Sequence, residues 1–99
     1  MKIIWTEPAL DELVLIYQYL LDNTSVPVAK SIIEDVLNTS QIESFPKSGT
    51  IEPNLKTSKE YRYILRGSNR YKIIYRIEGK VIYITDIFDC RKDPSSMKE

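Results

Sequence analysis

Between Tyr61 and Phe88 the chain repeats one theme three times: a run rich in tyrosine, isoleucine and valine, closed by a short polar turn. The runs are Tyr61–Arg66, Arg70–Glu78 and Lys80–Phe88, separated by Gly67-Ser68-Asn69 and Glu78-Gly79-Lys80. Strand formers joined by tight turns predict an antiparallel meander. In the second run Tyr71, Ile73, Tyr75 and Ile77 share one parity, while Arg70, Lys72 and Arg76 hold the other with only Ile74 among them. Successive strand residues point to opposite faces, so the pattern predicts one face that buries aromatics and one that displays cations. The third run is apolar on both parities, Val81, Tyr83 and Ile87 on one and Ile82, Ile84 and Phe88 on the other. That predicts a central strand covered on both sides.

The first half reads as helix. Lys2–Trp5 is long enough for a first strand that joins the sheet, and Thr6 followed by Pro8 is a cap and a first-turn proline. Leu10, Leu13, Val14, Tyr17, Leu20 and Leu21 recur at helical spacing, with Asp11, Glu12, Gln18 and Asp22 on the other side, which predicts a helix over 8–22. After Asn23-Thr24-Ser25 the cap-then-proline signal returns at Pro27, and Ala29, Ile32, Ile33, Val36 and Leu37 form a second apolar stripe. This second helix is expected to reach Ile42 or Phe45 before Pro46 ends it, with Asn38-Thr39-Ser40 weakening its centre. The two helices form an antiparallel hairpin over one sheet face. Phe45 to Lys59 reads as a loop, placed either for ligand contacts or merely as a connection, and Ser95–Glu99 as a frayed tail. The expected fold class is α+β, one domain over 1–99, with a twisted, largely antiparallel sheet of about four strands.

Composition narrows the chemistry. A chain of 99 residues with 42% hydrophobic and 28% charged residues is ordinary for a globular domain. No apolar run approaches the roughly 20 residues of a membrane span. Thr6-Glu7-Pro8 interrupts the apolar start, so no signal region is expected and the cytoplasm is the expected compartment. With one cysteine, Cys90, and no histidine, neither an intramolecular disulfide nor a zinc site is expected, and no other metal or cofactor is implied. The zero net charge conceals a separation. Residues 1–45 hold two lysines against seven carboxylates, a net of −5, whereas residues 56–76 hold Lys56, Lys59, Arg62, Arg66, Arg70, Lys72 and Arg76 against Glu60, a net of +6. A cationic face of this kind attracts phosphate or an acidic partner, or is only a solvated surface.

Four segments together resemble the RelE/ParE superfamily of bacterial toxins. They are Trp5 with Pro8-Ala9; Phe45-Pro46-Lys47-Ser48-Gly49; Tyr71-Lys72-Ile73-Ile74-Tyr75; and Phe88-Asp89-Cys90-Arg91-Lys92-Asp93-Pro94. The resemblance implies the toxin of a type II toxin–antitoxin pair, of the kind linked to growth inhibition and plasmid stabilisation, neutralised by a cognate antitoxin with an acidic, partly disordered segment. Its branches differ in target: RelE-like members cut messenger RNA in the ribosome, and ParE-like members inhibit DNA gyrase. The Asp89–Pro94 ending looks closer to the ParE-like side.

As an enzyme, the chain would be an mRNA endoribonuclease, with Arg62, Lys72 and Arg91 as catalytic candidates that stabilise phosphate charge. No base or acid accompanies them: Asp89 stands where many relatives have histidine, and Tyr63 and Leu65 stand where RelE-like members place lysines. Arg66, Arg70, Arg76 and Lys92 are the expected target- or antitoxin-binding residues. A further alternative is a degenerate, non-toxic binding module. Each residue also has a plain reading. Lys72 and Arg76 also read as the solvent side of a strand, Arg91 as an ion pair with Asp86, Asp89 or Asp93, and the tyrosines as core.

Overall fold

The first strand of the chain pairs with the last. In this computed structural model, which describes residues 1–55, 57 and 59–99, β1 (Lys2–Trp5) lies parallel to β5 (Val81–Asp89), with Lys2 opposite Val81 and Trp5 opposite Ile84. Lys56, counted above in the cationic segment, and Ser58 lie outside the described residues. Antiparallel β4 (Tyr71–Glu78) and β3 (Tyr61–Arg66) follow, and a two-residue edge strand, β2 (Thr50–Ile51), completes the order β1-β5-β4-β3-β2. The meander is as expected. The fifth strand falls in the segment expected to be loop, because two residues are too few to show a period.

Thr6 pins the corner between β1 and α1 (Glu7–Asn23), but not as a helix cap. Its hydroxyl and its N–H both donate to the Ile84 carbonyl, at 2.8 and 3.0 Å. This tie sets the rotation of α1. Ala9, Ile16 and Leu20 are buried and Leu13 and Tyr17 pack beside them, whereas Leu10, Val14 and Leu21, expected inside, are 45%, 56% and 37% exposed. Apolar residues lie nearly all round this helix, so spacing alone did not choose the buried arc.

Ser25 caps α2 (Val26–Leu37), accepting from the Val28 N–H at 3.3 Å. The helix stops at Leu37 rather than continuing to Ile42 or Phe45, and α3 (Ser40–Ser44) is a separate turn. At the break the Asn38 side chain accepts from both the N–H and the hydroxyl of Ser40, at 3.3 and 2.8 Å. Such local bonding offers the backbone an alternative to the helix.

A bulge in β5 reassigns its faces. Ile73 lies opposite Ile87 and Ile74 opposite Asp86, but Tyr75 lies opposite Ile84, which leaves Thr85 as the extra residue. Parity therefore reverses at Thr85. Ile82, Ile84 and Ile87 all enter the helix-side core with Tyr71, Ile73 and Tyr75, while Phe88 joins Ile74 on the far face. The grouping of Ile87 with Val81 and Tyr83, and of Phe88 with Ile84, is corrected by that one residue.

The far face is not open. Leu55, Tyr61, Ile74 and Phe88 form a second small core, with Tyr63 and Met97 packed against it. Its cover includes the C-terminal segment, expected to be frayed. Asp93 caps a short 3₁₀ turn at Pro94–Ser96, the Lys98 N–H donates to Asp86 Oδ2 at 3.0 Å, and Lys98 Nζ donates to Glu12 Oε1 at 2.8 Å.

Asp86 is 3% exposed, and burial pushes its carboxyl pKa up. A folded pKa above the unfolded one means that its contribution is present below about pH 4 and is lost as pH rises through the folded value. Asp86→Asn keeps an acceptor for the Lys98 N–H. It is expected to match or exceed the parent in melting temperature at pH 7 and to reduce the stability lost between pH 4 and 7. A larger loss across that range would contradict this account.

Candidate functional site

The cations concentrated along residues 56–76 do not share a surface. Alternation along β3 puts Arg62 and Arg66 on the parity of Ile64, which faces the helix-side core, whereas Lys72 and Arg76 share the parity of Ile74 on the far face. Arg70 precedes β4, directly after three left-handed residues, Gly67, Ser68 and Asn69 with φ of 64°, 56° and 66°, and turns towards α1. The expected face displaying Arg70, Lys72 and Arg76 together is therefore not formed.

Most of these cations are engaged locally. Lys72 Nζ donates to Glu52 Oε2 at 2.8 Å and sits 4.3 Å from the centre of the Tyr63 ring. The Glu52 side chain has no exposure, and its other oxygen accepts from the N–H and side-chain amide of Asn54, at 3.1 and 2.9 Å. Burial pushes the Glu52 carboxyl up, but the Lys72 and Asn54 bonds outweigh it and hold the pKa below the usual range. Arg76 pairs with Glu78 at 3.0 Å over the Tyr83 ring, and Glu78 also takes Lys59 at 2.9 Å. Arg62 bonds Glu60 at 2.9 Å and the Gly49 carbonyl at 2.8 Å. Arg66 donates to the Asn38 carbonyl at 3.1 Å and to Gln41 at 3.4 Å.

At the end of β5, Arg91 makes a two-pronged contact with Asp89, Nε to Oδ1 at 3.1 Å and Nη2 to Oδ2 at 2.9 Å. Burial raises the Asp89 pKa, but the Arg91 bonds outweigh it and the net shift is downward; the Arg91 pKa is raised in turn. Lys92 lies 4.0 Å from Glu12. Arg62, Lys72 and Arg91 thus serve three different neighbourhoods: the Gly49 loop, the far face and the end of α1. They do not converge on one phosphate-sized point, and the thiol of Cys90, a residue exposed overall, has its pKa pushed up by partial desolvation. The sequence reading had no means of finding Glu52, Asn54 or Tyr19 as their partners, since each comes from another element and none sits in a motif.

What the surface offers instead is apolar. Leu10, Val14, Leu15, Tyr19 and Leu21 on α1 and Val26, Val28 and Leu37 on α2 are each 37–56% exposed. Phe45, 68% exposed, rims an open cleft of about 980 Å³ that Met1, Pro46 and Ile77 also line. Where such residues adjoin, they offer a partner an apolar surface. Among the described residues no group of three His, Cys, Asp or Glu side chains is placed to hold a metal, and no helix is long and apolar enough to cross a membrane.

Comparison with known proteins agrees with this architecture. Residues 3–94 match the family described as ParE toxin of type II toxin-antitoxin system, parDE. A solved structure described as the chromosomal ParDE TA system from P. aeruginosa superposes with a TM-score of 0.75 at 20% identity, covering 90% of this chain and 95% of that one. No protein of curated function matches the sequence.

Proposed function

Because the chain belongs to the ParE toxin family of type II toxin–antitoxin systems, we propose that it arrests growth in the cytoplasm by binding DNA gyrase and that a cognate antitoxin protein holds it inactive. The observation that carries the target assignment is the closure of the far face around Lys72. Cutting RNA through its 2′-hydroxyl needs a base, an acid and free cations around one phosphate. Here Lys72 holds a fully buried carboxylate, and Arg62 and Arg91 face other surroundings. A toxin that acts by binding needs none of that chemistry. The exposed apolar residues of the helical hairpin suit a partner segment that folds as it docks, with the ordering entropy offset by burial.

Induced expression without the antitoxin tests the target. Filamentation, a DNA-damage response and intact messages are expected, together with inhibited supercoiling when purified protein meets gyrase. Codon-positioned cuts in translated messages would instead support the ribonuclease reading. Harmless accumulation of folded protein would support a binding module without toxicity.

A further inference from the structure

The two edges of the sheet are finished differently. At one edge β2 is only two residues long, and carbonyls beside it are taken by guanidiniums: Arg62 donates to that of Gly49 and Arg66 to that of Leu65, each at 2.8 Å. A very short strand with charged side chains over its backbone keeps a sheet from pairing further. At the other edge β1 has neither device. It runs four residues, Lys2–Trp5, carries its one charge at the start, and pairs on one side alone.

Its ladder decides which groups stay open. Trp5 lies opposite Ile84, and the Thr6 N–H donates to the Ile84 carbonyl at 3.0 Å. In a parallel pair this turns the N–H and C=O groups of Lys2, Ile4 and Thr6 towards β5, and those of Ile3 and Trp5, on the other parity, outwards. None of these outward groups has a hydrogen-bond partner among the described residues. Lys2 is exposed, and Ile3, Ile4 and Trp5 are half-buried, so the edge borders solvent.

We infer that this edge pairs with the same edge of a second copy of the chain, β1 antiparallel to β1 about a two-fold axis at Ile4. In that register Ile3 faces Trp5 of the second copy and Trp5 faces its Ile3, so every open group is bonded at once. Ile4 meets Ile4 at the closer, non-hydrogen-bonded position between them, which adds an apolar contact. The charges agree with the symmetry. Lys2 and Glu7 flank the segment, both exposed and in no ion pair among the described residues, and the two-fold axis sets Lys2 of each copy beside Glu7 of the other. Two five-stranded sheets become one, with both helical hairpins on the same face. The inference goes beyond the target and antitoxin readings and needs neither.

Such a short pairing buries less than the roughly 1,200 Å² of a standard interface, so a weak dimer is expected, with a Kd on the order of 0.1 mM. Sedimentation of the full chain from about 1 μM to about 1 mM should follow the change from monomer to dimer. At about 1 mM amide exchange at Ile3 and Trp5 should slow about fivefold relative to dilute protein, while Ile4, bonded to β5 in both states, should not change. Emission from Trp5, the only tryptophan, should shift to the blue. Lys2→Glu or Glu7→Lys alone sets like charges together and should weaken the dimer about tenfold. The two combined should restore the Kd to within about twofold. Ile3→Pro removes an outward N–H and no bond to β5, so it should abolish the dimer in a folded chain; if it does not fold, the charge exchange still decides. A chain still monomeric at about 1 mM, a dimer in which Ile3 and Trp5 exchange as in dilute protein, or no restoration in the combined variant would overturn the assignment. Protection of these two amides only with a co-expressed antitoxin, and not in the concentrated chain alone, would give the edge to that partner and overturn it as well.

Discussion

Lys72→Ala is expected to bring the protein close to unfolding. It leaves the Glu52 carboxylate, which has no exposure, with only Asn54 for a partner. Breaking a buried ion pair from one side costs about 3–5 kcal/mol, a large share of the roughly 5–15 kcal/mol that holds a domain together. In a domain of this size the melting temperature should fall by more than about 10 °C.

The pH dependence carries a sign. In the parent the Glu52 pKa is lowered, so its contribution is present above about pH 4 and is lost as pH falls through the folded value. In Lys72→Ala the uncompensated carboxylate is raised instead, so the variant's deficit shrinks on acidification. Glu52→Gln combined with Lys72→Met removes both charges at similar volume and should recover most of the loss. Calorimetry across pH 4–8 reads all three proteins. A Lys72→Ala protein that melts within about 3 °C of the parent would show that water reaches Glu52. The practical consequence concerns toxicity assays: loss of toxicity in this variant is evidence about a target only if the protein is still folded.

Gly49→Ala has the second large effect, for a steric reason. The backbone there is extended, φ −71° and ψ 155°, which any residue adopts, so glycine is required for space rather than for conformation. An added Cβ would stand 2.8 Å from Tyr75 Cε1 and 2.9 Å from the Tyr63 carbonyl oxygen. Tyr75 cannot step aside. It is fully buried, its hydroxyl donates to the Pro46 carbonyl at 2.6 Å, and that hydroxyl accepts from the Gly49 N–H at 3.0 Å.

Overpacking together with a damaged hydrogen-bonded corner should destabilise by about 2–4 kcal/mol. Tyr75→Phe, which leaves the Pro46 carbonyl and Gly49 N–H unpartnered, should cost about 1–3 kcal/mol. The double variant should be less destabilised than the sum, because removing the hydroxyl also relieves the clash with the new methyl. Urea unfolding of the four proteins gives the coupling, and strict additivity would refute the steric explanation. Because Arg62 hangs on the Gly49 carbonyl, the same variant should also loosen that guanidinium.

The meander was legible because each strand reports its own pairing. Alternation in Tyr71–Ile77 and short turns at Gly67 and Gly79 are local facts, and they survive folding. The helical hairpin was legible from spacing and from Ser25 and Pro27, but its buried arc was not, because the Thr6 tie to Ile84 crosses 78 positions. One inserted residue, Thr85, reversed the faces of half a strand without disturbing its composition.

The concentration of cations was real along the chain and misleading in space. Neighbours on a strand face opposite ways, and long side chains take partners from other elements, as Lys72 takes Glu52 and Arg70 takes Tyr19. Loop residues such as Glu52 and Asn54 carry no period and so gave no warning of the buried pair.

The pairing of β1 with β5 has a bearing on how the protein is born. Translation delivers β1 before its hydrogen-bonding neighbour β5, which also anchors β4 and receives Thr6 and is made only after the helices and the other strands. A nascent chain that has not reached Val81 lacks the strand around which its sheet is ordered, and such distant contacts close slowly. Until β5 is made, the earlier strands and helices have no sheet centre to pack on, and their apolar faces stay unpaired.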